Sequence, residues 1–376
     1  MAYLDHNATS PLRVEAKIAA DSAVAVGGNA SSVHASGRQA RALIEQARGQ
    51  VAALAGARPE DVVFTSSGSE ANALALWGAV QGAADAGARI TRLFVSAIEH
   101  DSVLGNAAVL AERFAGLHVR TVPVTADGVT DFEALRALLR EGKGRALVAV
   151  MAANNETGVI QPVAEAATLA REAGALLMVD AVQAAGKIEV PRADYVTLSA
   201  HKIGGPQGVG ALILGKEVSF TPLFRGGGQE RGRRAGTENL SGISGFGAAA
   251  EACRPGAATL RDLFETGLRD MCRDVVIFGE KALRLANTSN FALPGMPAES
   301  ALIALDLDGV MLSSGAACSS GKVGRSHVLA AMGIPEGLAR CALRASFGWN
   351  SNPTDVDAAL RSLSNLVARI RSRAAA

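Results

Sequence analysis

The chain has 376 residues, 49% of them apolar, with 37 basic side chains against 36 acidic ones and a net charge of +1. That length allows two or three lobes and an ample core, and the near-zero charge gives no reason to expect nucleic acid or an anionic membrane as a partner. No charged start leads into an apolar core, and Gly, Arg or Asp interrupts the longest apolar stretches, so neither a signal peptide nor a transmembrane helix is expected.

Strand and helix patterns alternate along most of the chain. Ala40, Leu43, Ala47, Val51 and Leu54 recur at helical spacing, which predicts a helix over 37–54. A short strand at Val62-Val63-Phe64 precedes a helix over 70–80. Then come a strand at 93–96, a helix over 102–114, a strand at 119–124 and a helix over 132–139. A strand at 146–151, a helix over 163–172 and strands at 176–179, 195–198 and 211–214 follow. Such alternation gives an α/β fold, a largely parallel sheet with helices on both faces. Beyond Gly256 the pattern changes. Helices over 260–273, 298–307 and 356–370 alternate with short strands near 275–277, 290–293 and 342–345. The expected division is a large α/β domain over 16–255 and a smaller α+β domain formed by 1–15 and 256–376.

Candidate chemistry gathers at the ends of the predicted strands. Lys202 follows the apolar run Tyr195-Val196-Thr197-Leu198, in Ser199-Ala200-His201-Lys202, and precedes a Gly-Gly-Pro turn. A lysine so placed is suited to a Schiff base. Asp180 ends the run 175–179, with Gln183 just beyond. If the two strands are parallel, Asp180, Gln183 and Lys202 share one mouth. A Schiff-base lysine with a carboxylate for a pyridinium nitrogen is what pyridoxal 5′-phosphate (PLP) requires. Taken singly, Asp180 reads as well as a turn or cap, and Lys202 as a solvated charge.

A phosphate site fits Thr65-Ser66-Ser67-Gly68-Ser69-Glu70, which runs from a strand into a helix. Gly68 allows close approach, free amides attract an anion and Ser69 adds a hydroxyl; an ordinary Ser N-cap is the other reading. His100, in Glu99-His100-Asp101-Ser102, lies at the same mouth and could cover a ring or move protons, or it could be incidental to a helix cap. Asn155 follows the strand at 146–151 and could bond a cofactor oxygen and a substrate carboxylate, or serve a plain turn. Arg344 sits inside an apolar strand and needs an anion there, either a substrate carboxylate or an internal ion pair.

The four cysteines, Cys253, Cys272, Cys318 and Cys341, show no CxxC pair and no metal-ligand spacing. That argues against a secreted disulfide scaffold and for a reducing compartment, here the cytoplasm, with no metal. Cys341 has core neighbours. Cys318 stands among Ser, Ala and Gly, a setting in which a thiolate can act as nucleophile and carry extra sulfur; a chance loop cysteine is the alternative.

Together these residues resemble the cysteine desulfurases of the NifS/IscS-like group, in the class V aminotransferase branch of fold-type I PLP enzymes. The likeness runs from Tyr3-Leu4-Asp5-His6-Asn7-Ala8-Thr9 and Gly28-Asn29-Ala30-Ser31-Ser32 through the motifs above. It continues to Arg234-Ala235-Gly236-Thr237-Glu238-Asn239, Ser326-His327-Val328-Leu329 and Leu343-Arg344-Ala345-Ser346. By that resemblance Lys202 holds PLP, Asp180 pairs with the ring nitrogen, Gln183 with the ring hydroxyl, and His100 stacks on the ring. Gly68, Ser69, Ser199 and His201 take the phosphate, joined by Thr237 from the second subunit of a homodimer. Asn155, counted among the cofactor ligands as well, and Arg344 hold the carboxylate of L-cysteine. Cys318 receives sulfur as a persulfide, leaving alanine, and passes it to an acceptor such as an iron–sulfur scaffold. Ser67 stands where the group usually has Gly, Ala316 where Ser is common, Ala30 where Pro is common, and Val323-Gly324-Arg325 replaces a Leu-Glu-Pro stretch. A selenocysteine lyase or an aminotransferase would share this cofactor. A non-enzyme reading rests on the Arg-Gly-rich run 224–234, which resembles a nucleic-acid segment but carries one aromatic and an acidic residue.

Overall fold

The structure is a computed structural model that describes residues 1–254, 256, 258–315 and 325–374, with side chains through Arg369. Seven strands form its main sheet: β1 (Val62–Thr65), β2 (Ile90–Ser96), β3 (His118–Val122), β4 (Arg145–Ala149), β5 (Leu176–Asp180), β6 (Tyr195–Ser199) and β7 (Gly210–Leu214). Their order is β1-β7-β6-β5-β4-β2-β3, and only β7 runs against the rest. All five residues of β5 and all five of β6 are buried. Alternation is lost because both faces are covered, as befits central parallel strands.

Odd and even positions of each strand feed different cores. On one face Phe64, Phe94, Val148, Val179, Val196 and Leu198 meet Ile44, Ala47 and Val51 of helix Ala35–Leu54 and Phe246 of helix Leu240–Ala252. On the other, Val63, Leu93, Val95, Leu147 and Met178 meet Leu74, Leu76 and Ala79 of helix Gly68–Asp85 and Leu110 of helix Asp101–Arg113. Parallel β5 and β6 pair Asp180 with Thr197, so their carboxyl ends open together. This is the crevice where ligands of open α/β sheets sit.

A second, antiparallel sheet combines β8 (Val276–Ile277), β9 (Thr288–Ala292), β10 (Ser313–Ser314) and β11 (Ala342–Ser346) in the order β10-β11-β9-β8. The chain's start belongs with this part: Ala2–Tyr3 pairs with Val310–Met311, and Leu4 packs with Phe264, Phe291 and Leu343. From there residues 5–10 cross to the main sheet, where Ser10 N–H donates to His201 O at 2.8 Å.

The predicted elements stand at these places within a few residues, and three of the differences bear on the sheet and its cover. The strand at 211–214 is the antiparallel member of the sheet. Helix Val14–Val26 was not read as an element, nor was helix Leu240–Ala252. The latter, Leu-Ser-Gly-Ile-Ser-Gly-Phe-Gly, carries no amphipathic stripe because neighbours close on several sides. A Cβ at Gly245 would lie 2.6 Å from Pro206, and one at Gly247 2.6 Å from the Ala47 backbone.

Candidate active site

A cavity of about 310 Å³ opens at the carboxyl ends of β5 and β6. Its wall includes Gly68, Ser69, His100, Asn155, Asp180, Gln183, Ser199, His201 and Lys202, nine residues singled out from the sequence. Three others are placed differently. Arg344 is fully buried behind the wall, Thr237 is exposed and away from it, and Cys318 lies outside the described residues.

One end of the cavity is shaped by one glycine. Ser67, in extended conformation, caps helix Gly68–Asp85 by accepting from Glu70 N–H. The capping reading of this turn is therefore correct for Ser67, and it leaves the first-turn amides facing the cavity mouth. A Cβ on Gly68 would lie 2.9 Å from Val182 Cγ2 and 3.1 Å from Ser199 Cβ. Only glycine lets the helix start come so near the end of β6. Ser199 Oγ beside it is buried and has no partner among the described residues. An orphaned hydroxyl in a cradle this tight fits an anionic oxygen. His201 shares the mouth, its Nδ1 at 3.2 Å from Thr9 Oγ1. Burial, then the charge of Lys202, lowers its pKa to about 4. An anion seated here would reverse that preference.

The opposite end is acidic and rigid. Asp180 accepts at Oδ2 from Asn72 Nδ2 at 2.8 Å and at Oδ1 from Val182 N–H at 2.9 Å. Asn72 is held in turn by Thr197 Oγ1, which donates to its Oδ1 at 2.6 Å, and its Nδ2 also donates to Ser102 Oγ. The carboxylate is thus fixed in plane with lone pairs to spare for a cation. Beneath it Glu99 is buried, with Oε2 unpartnered among the described residues. Burial, then the neighbouring Asp180 charge, raises its pKa well above the usual carboxylate range. His100 Nδ1 accepts from Ser102 N–H at 3.1 Å. In the neutral ring the proton is then on Nε2.

Lys202 Nζ donates to the backbone oxygens of Asn7 at 2.7 Å and Ala8 at 2.8 Å. Gln183 Nε2 donates to the same Asn7 oxygen at 2.8 Å, and Gln183 Oε1 accepts from Lys187 Nζ at 2.7 Å. Asn7 Nδ2 reaches Asn155 O and Thr288 Oγ1. The amino-terminal crossing segment is therefore one wall of the site. Asn7 was visible only as part of a motif, and Lys187, in the Gly186-Lys187 turn, was not singled out at all.

Arg344 donates through Nη1 to Asn155 O at 2.9 Å and through Nη2 to Asp5 Oδ1 at 2.7 Å, while its buried Nε has no partner among the described residues. The anion that an arginine inside a strand demands is supplied here by Asp5. The Arg-Gly-rich run is also tied inward. Glu230 is buried against Arg48 and Phe64 N–H, and Arg234 pairs with Glu70. Glu230 and Arg231 hold positive φ angles of 46° and 58° to make that inward turn.

The described flanks of the Cys318 segment are anchored. Gly315 N–H donates to Ala342 O, Ser326 Oγ donates to Glu156 Oε2, and His327 Nε2 lies 2.9 Å from Glu99 O, next to His100.

Fold and cavity together are those of a PLP-dependent α/β enzyme. Residues 2–359 match the class-V aminotransferase family, and the chain belongs to it; it is a PLP-dependent enzyme. It is 40% identical to an IscS-like cysteine desulfurase of Mycobacterium tuberculosis, over 100% of this chain and 98% of that protein. It is 42% identical to a cysteine desulfurase of Cereibacter sphaeroides, over 98% of this chain and 96% of the relative. Among solved structures it is similar to a NifS-like protein from Rickettsia africae, with TM-score 0.87 and 33% identity over 98% of this chain and 99% of that one.

Proposed function

We propose that the chain is a cysteine desulfurase: it converts L-cysteine to L-alanine and takes the sulfur onto Cys318 as a persulfide. The observation that carries this reading is the cavity at the ends of β5 and β6, which Lys202, Asp180, Ser199 and Gly68 line together. The full-length likeness to named cysteine desulfurases selects the reaction among those this cofactor supports.

Bound PLP supplies an electron sink for the carbon next to the substrate amine. Lys202 would hold it covalently, Asp180 would pair with the ring nitrogen, and Gly68, Ser69, Ser199 and His201 would hold the phosphate. Gln183 is engaged by Asn7 and Lys187 in this structure, so it would reach the ring hydroxyl only by sharing those bonds. His100, with Nδ1 committed to Ser102, presents Nε2 for proton movement. Asn155 and, behind it, Arg344 would orient the substrate carboxylate, with Asp5 giving way as the competing anion. Cys318 as thiolate would form the S–S bond while the substrate C–S bond breaks, and the carbon left behind takes a proton to give alanine.

The persulfide would pass to an acceptor such as an iron–sulfur scaffold, and the enzyme would work in the cytoplasm as a homodimer whose Thr237 completes the partner's phosphate site. Three observations support this. Thr237 is exposed and away from its own cavity, and Leu12, Val14, Ile18, Val24 and Phe224 expose apolar side chains. Among the described residues no helix is long and apolar enough to cross a membrane. Cys253, Cys272 and Cys341 are buried. The division into 16–255 and 1–15 with 256–376 is part of the same reading, supported by pairing of the chain's start with the second part.

Anaerobic incubation with L-cysteine and a reductant tests the reaction. Alanine and sulfide should appear in equal amounts, and without reductant mass spectrometry should find added sulfur on the Cys318 peptide. Alanine without sulfide, or sulfur on another cysteine, would refute the assignment.

A further inference from the structure

Lys202 is not the only amine at this site. Lys187 Nζ donates to Gln183 Oε1 at 2.7 Å and to Asn7 Oδ1 at 3.1 Å. Gln183 Nε2 and Lys202 Nζ meet on one acceptor, the Asn7 carbonyl. Lys187 therefore decides which way the Gln183 amide points. With an ammonium on its oxygen, the amide can only offer N–H to Asn7, and that contact holds the carbonyl where Lys202 uses it. Asn287 Nδ2 bonds Asn7 Oδ1 from the far side, so the Asn7 side chain is also fixed.

The surroundings make Lys187 an electrostatic neighbour of Lys202 as well. It is half-buried and lines a second cavity, of about 450 Å³, which Lys202 also lines. The titratable and charged groups facing it are Lys202, Arg344 and His6, and Arg13, Cys253 and Arg254 line the same cavity. All but Cys253, whose thiol burial pushes up, are cationic when charged. Burial, then Lys202, then Arg344, brings the Lys187 pKa down to about 7, and burial followed by Lys187 brings that of His6 to about 4. Like charges in a shared, poorly solvated space disfavour protonation of one another.

We propose that Lys187 is a positioning residue for Lys202: through Gln183 and Asn7 it fixes the carbonyl on which Lys202 Nζ rests, and its ammonium eases loss of that nitrogen's proton to solvent. An unprotonated nitrogen is what Lys202 needs in order to join a carbonyl carbon or to yield it to another amine.

The inference rests on Lys202 carrying PLP, which borohydride reduction and peptide mapping of the wild type establish separately. The test is a pH titration of the PLP absorbance of the loaded full-length protein, without substrate. Lys187→Gln keeps a donor but removes the charge, and should raise the midpoint of the Schiff-base proton by roughly 0.5–1 unit. Lys187→Arg keeps the charge and should stay within about 0.2 unit of wild type by the same reasoning. A midpoint unmoved in Lys187→Gln, or moved equally by both, overturns the proposal. Should Lys187→Gln hold no PLP, trace acetylation of Lys202 in the cofactor-free chain, followed by mass spectrometry across pH, reads the same property. Its reactivity midpoint should rise in the variant, and an unchanged midpoint overturns the proposal equally.

Discussion

Arg344 shows how one buried charge is shared between fold and chemistry. It is fully buried, held by Asp5 and the Asn155 carbonyl. Removing it would leave Asp5 without its cation and Asn155 O with only its bond from Asn7 Nδ2, so Arg344→Ala should cost about 3–5 kcal/mol of stability, visible as a lower Tm. The functional reading adds a second expectation: a folded Arg344→Lys variant, which keeps the charge without the fork, should raise KM for cysteine more than it changes PLP affinity. A Lys variant with wild-type KM and a lowered Tm would reduce Arg344 to a structural ion pair. Glu99 gives a prediction with a definite sign. Its folded-state pKa lies above the unfolded value, so the folded chain holds a proton that the unfolded chain gives up as pH rises. Stability is therefore lost above the ordinary carboxylate range. Glu99→Gln keeps the acceptor for Met151 N–H and should raise Tm at pH 8, with the gain vanishing near pH 4. A gain that does not grow with pH would mean that Glu99 is ionised in the fold.

Elements turn these residues into a site by bringing ends together. The helix that starts at Gly68 and the strand that ends at Ser199 meet at van der Waals contact only because position 68 has no Cβ. Gly68→Ala should fold, since Ala is otherwise favoured in a helix, yet it must push the helix start off β6. PLP affinity should fall about tenfold or more, as expected when one or two anion contacts are lengthened. A fluorescence titration of the cofactor-free protein would measure it, and unchanged affinity would show that the first turn does not touch the phosphate. The legible part of the site was this part. Strand ends, a Gly-Ser turn and a lysine before Gly-Gly-Pro are local patterns, and the sheet register then places Asp180 beside Thr197. Asp5, Asn7 and Lys187 were not assigned roles, because what makes them matter is a crossing segment that meets residues 148 to 339 positions away. Helix Leu240–Ala252 was missed for the opposite reason. Its residues carry little side-chain pattern, since close packing of glycines replaces it.

For the whole molecule, the two imidazoles with suppressed protonation set a pH response that the cofactor should modify. His6 and His201 both have folded-state pKa values of about 4, lowered chiefly by burial, against an ordinary value of 6.5. Between these values the unfolded chain binds protons that the folded chain refuses, so stability rises with pH across the window and is lost as pH falls from 6.5 towards 4. The cofactor-free protein should accordingly lose Tm steadily over that range. His6 stands behind the site, bonded to Ser10 and pressed against Gly348, where an added Cβ would clash with its ring. His201 lines the cavity where the phosphate is proposed to sit, and a bound dianion there would favour the imidazolium. PLP should therefore remove much of the His201 share and leave that of His6. Melting curves from pH 4 to 7 should be steeper without PLP than with it, and His201→Asn should make the two slopes agree. If PLP raises Tm by the same amount at every pH, His201 does not meet the phosphate.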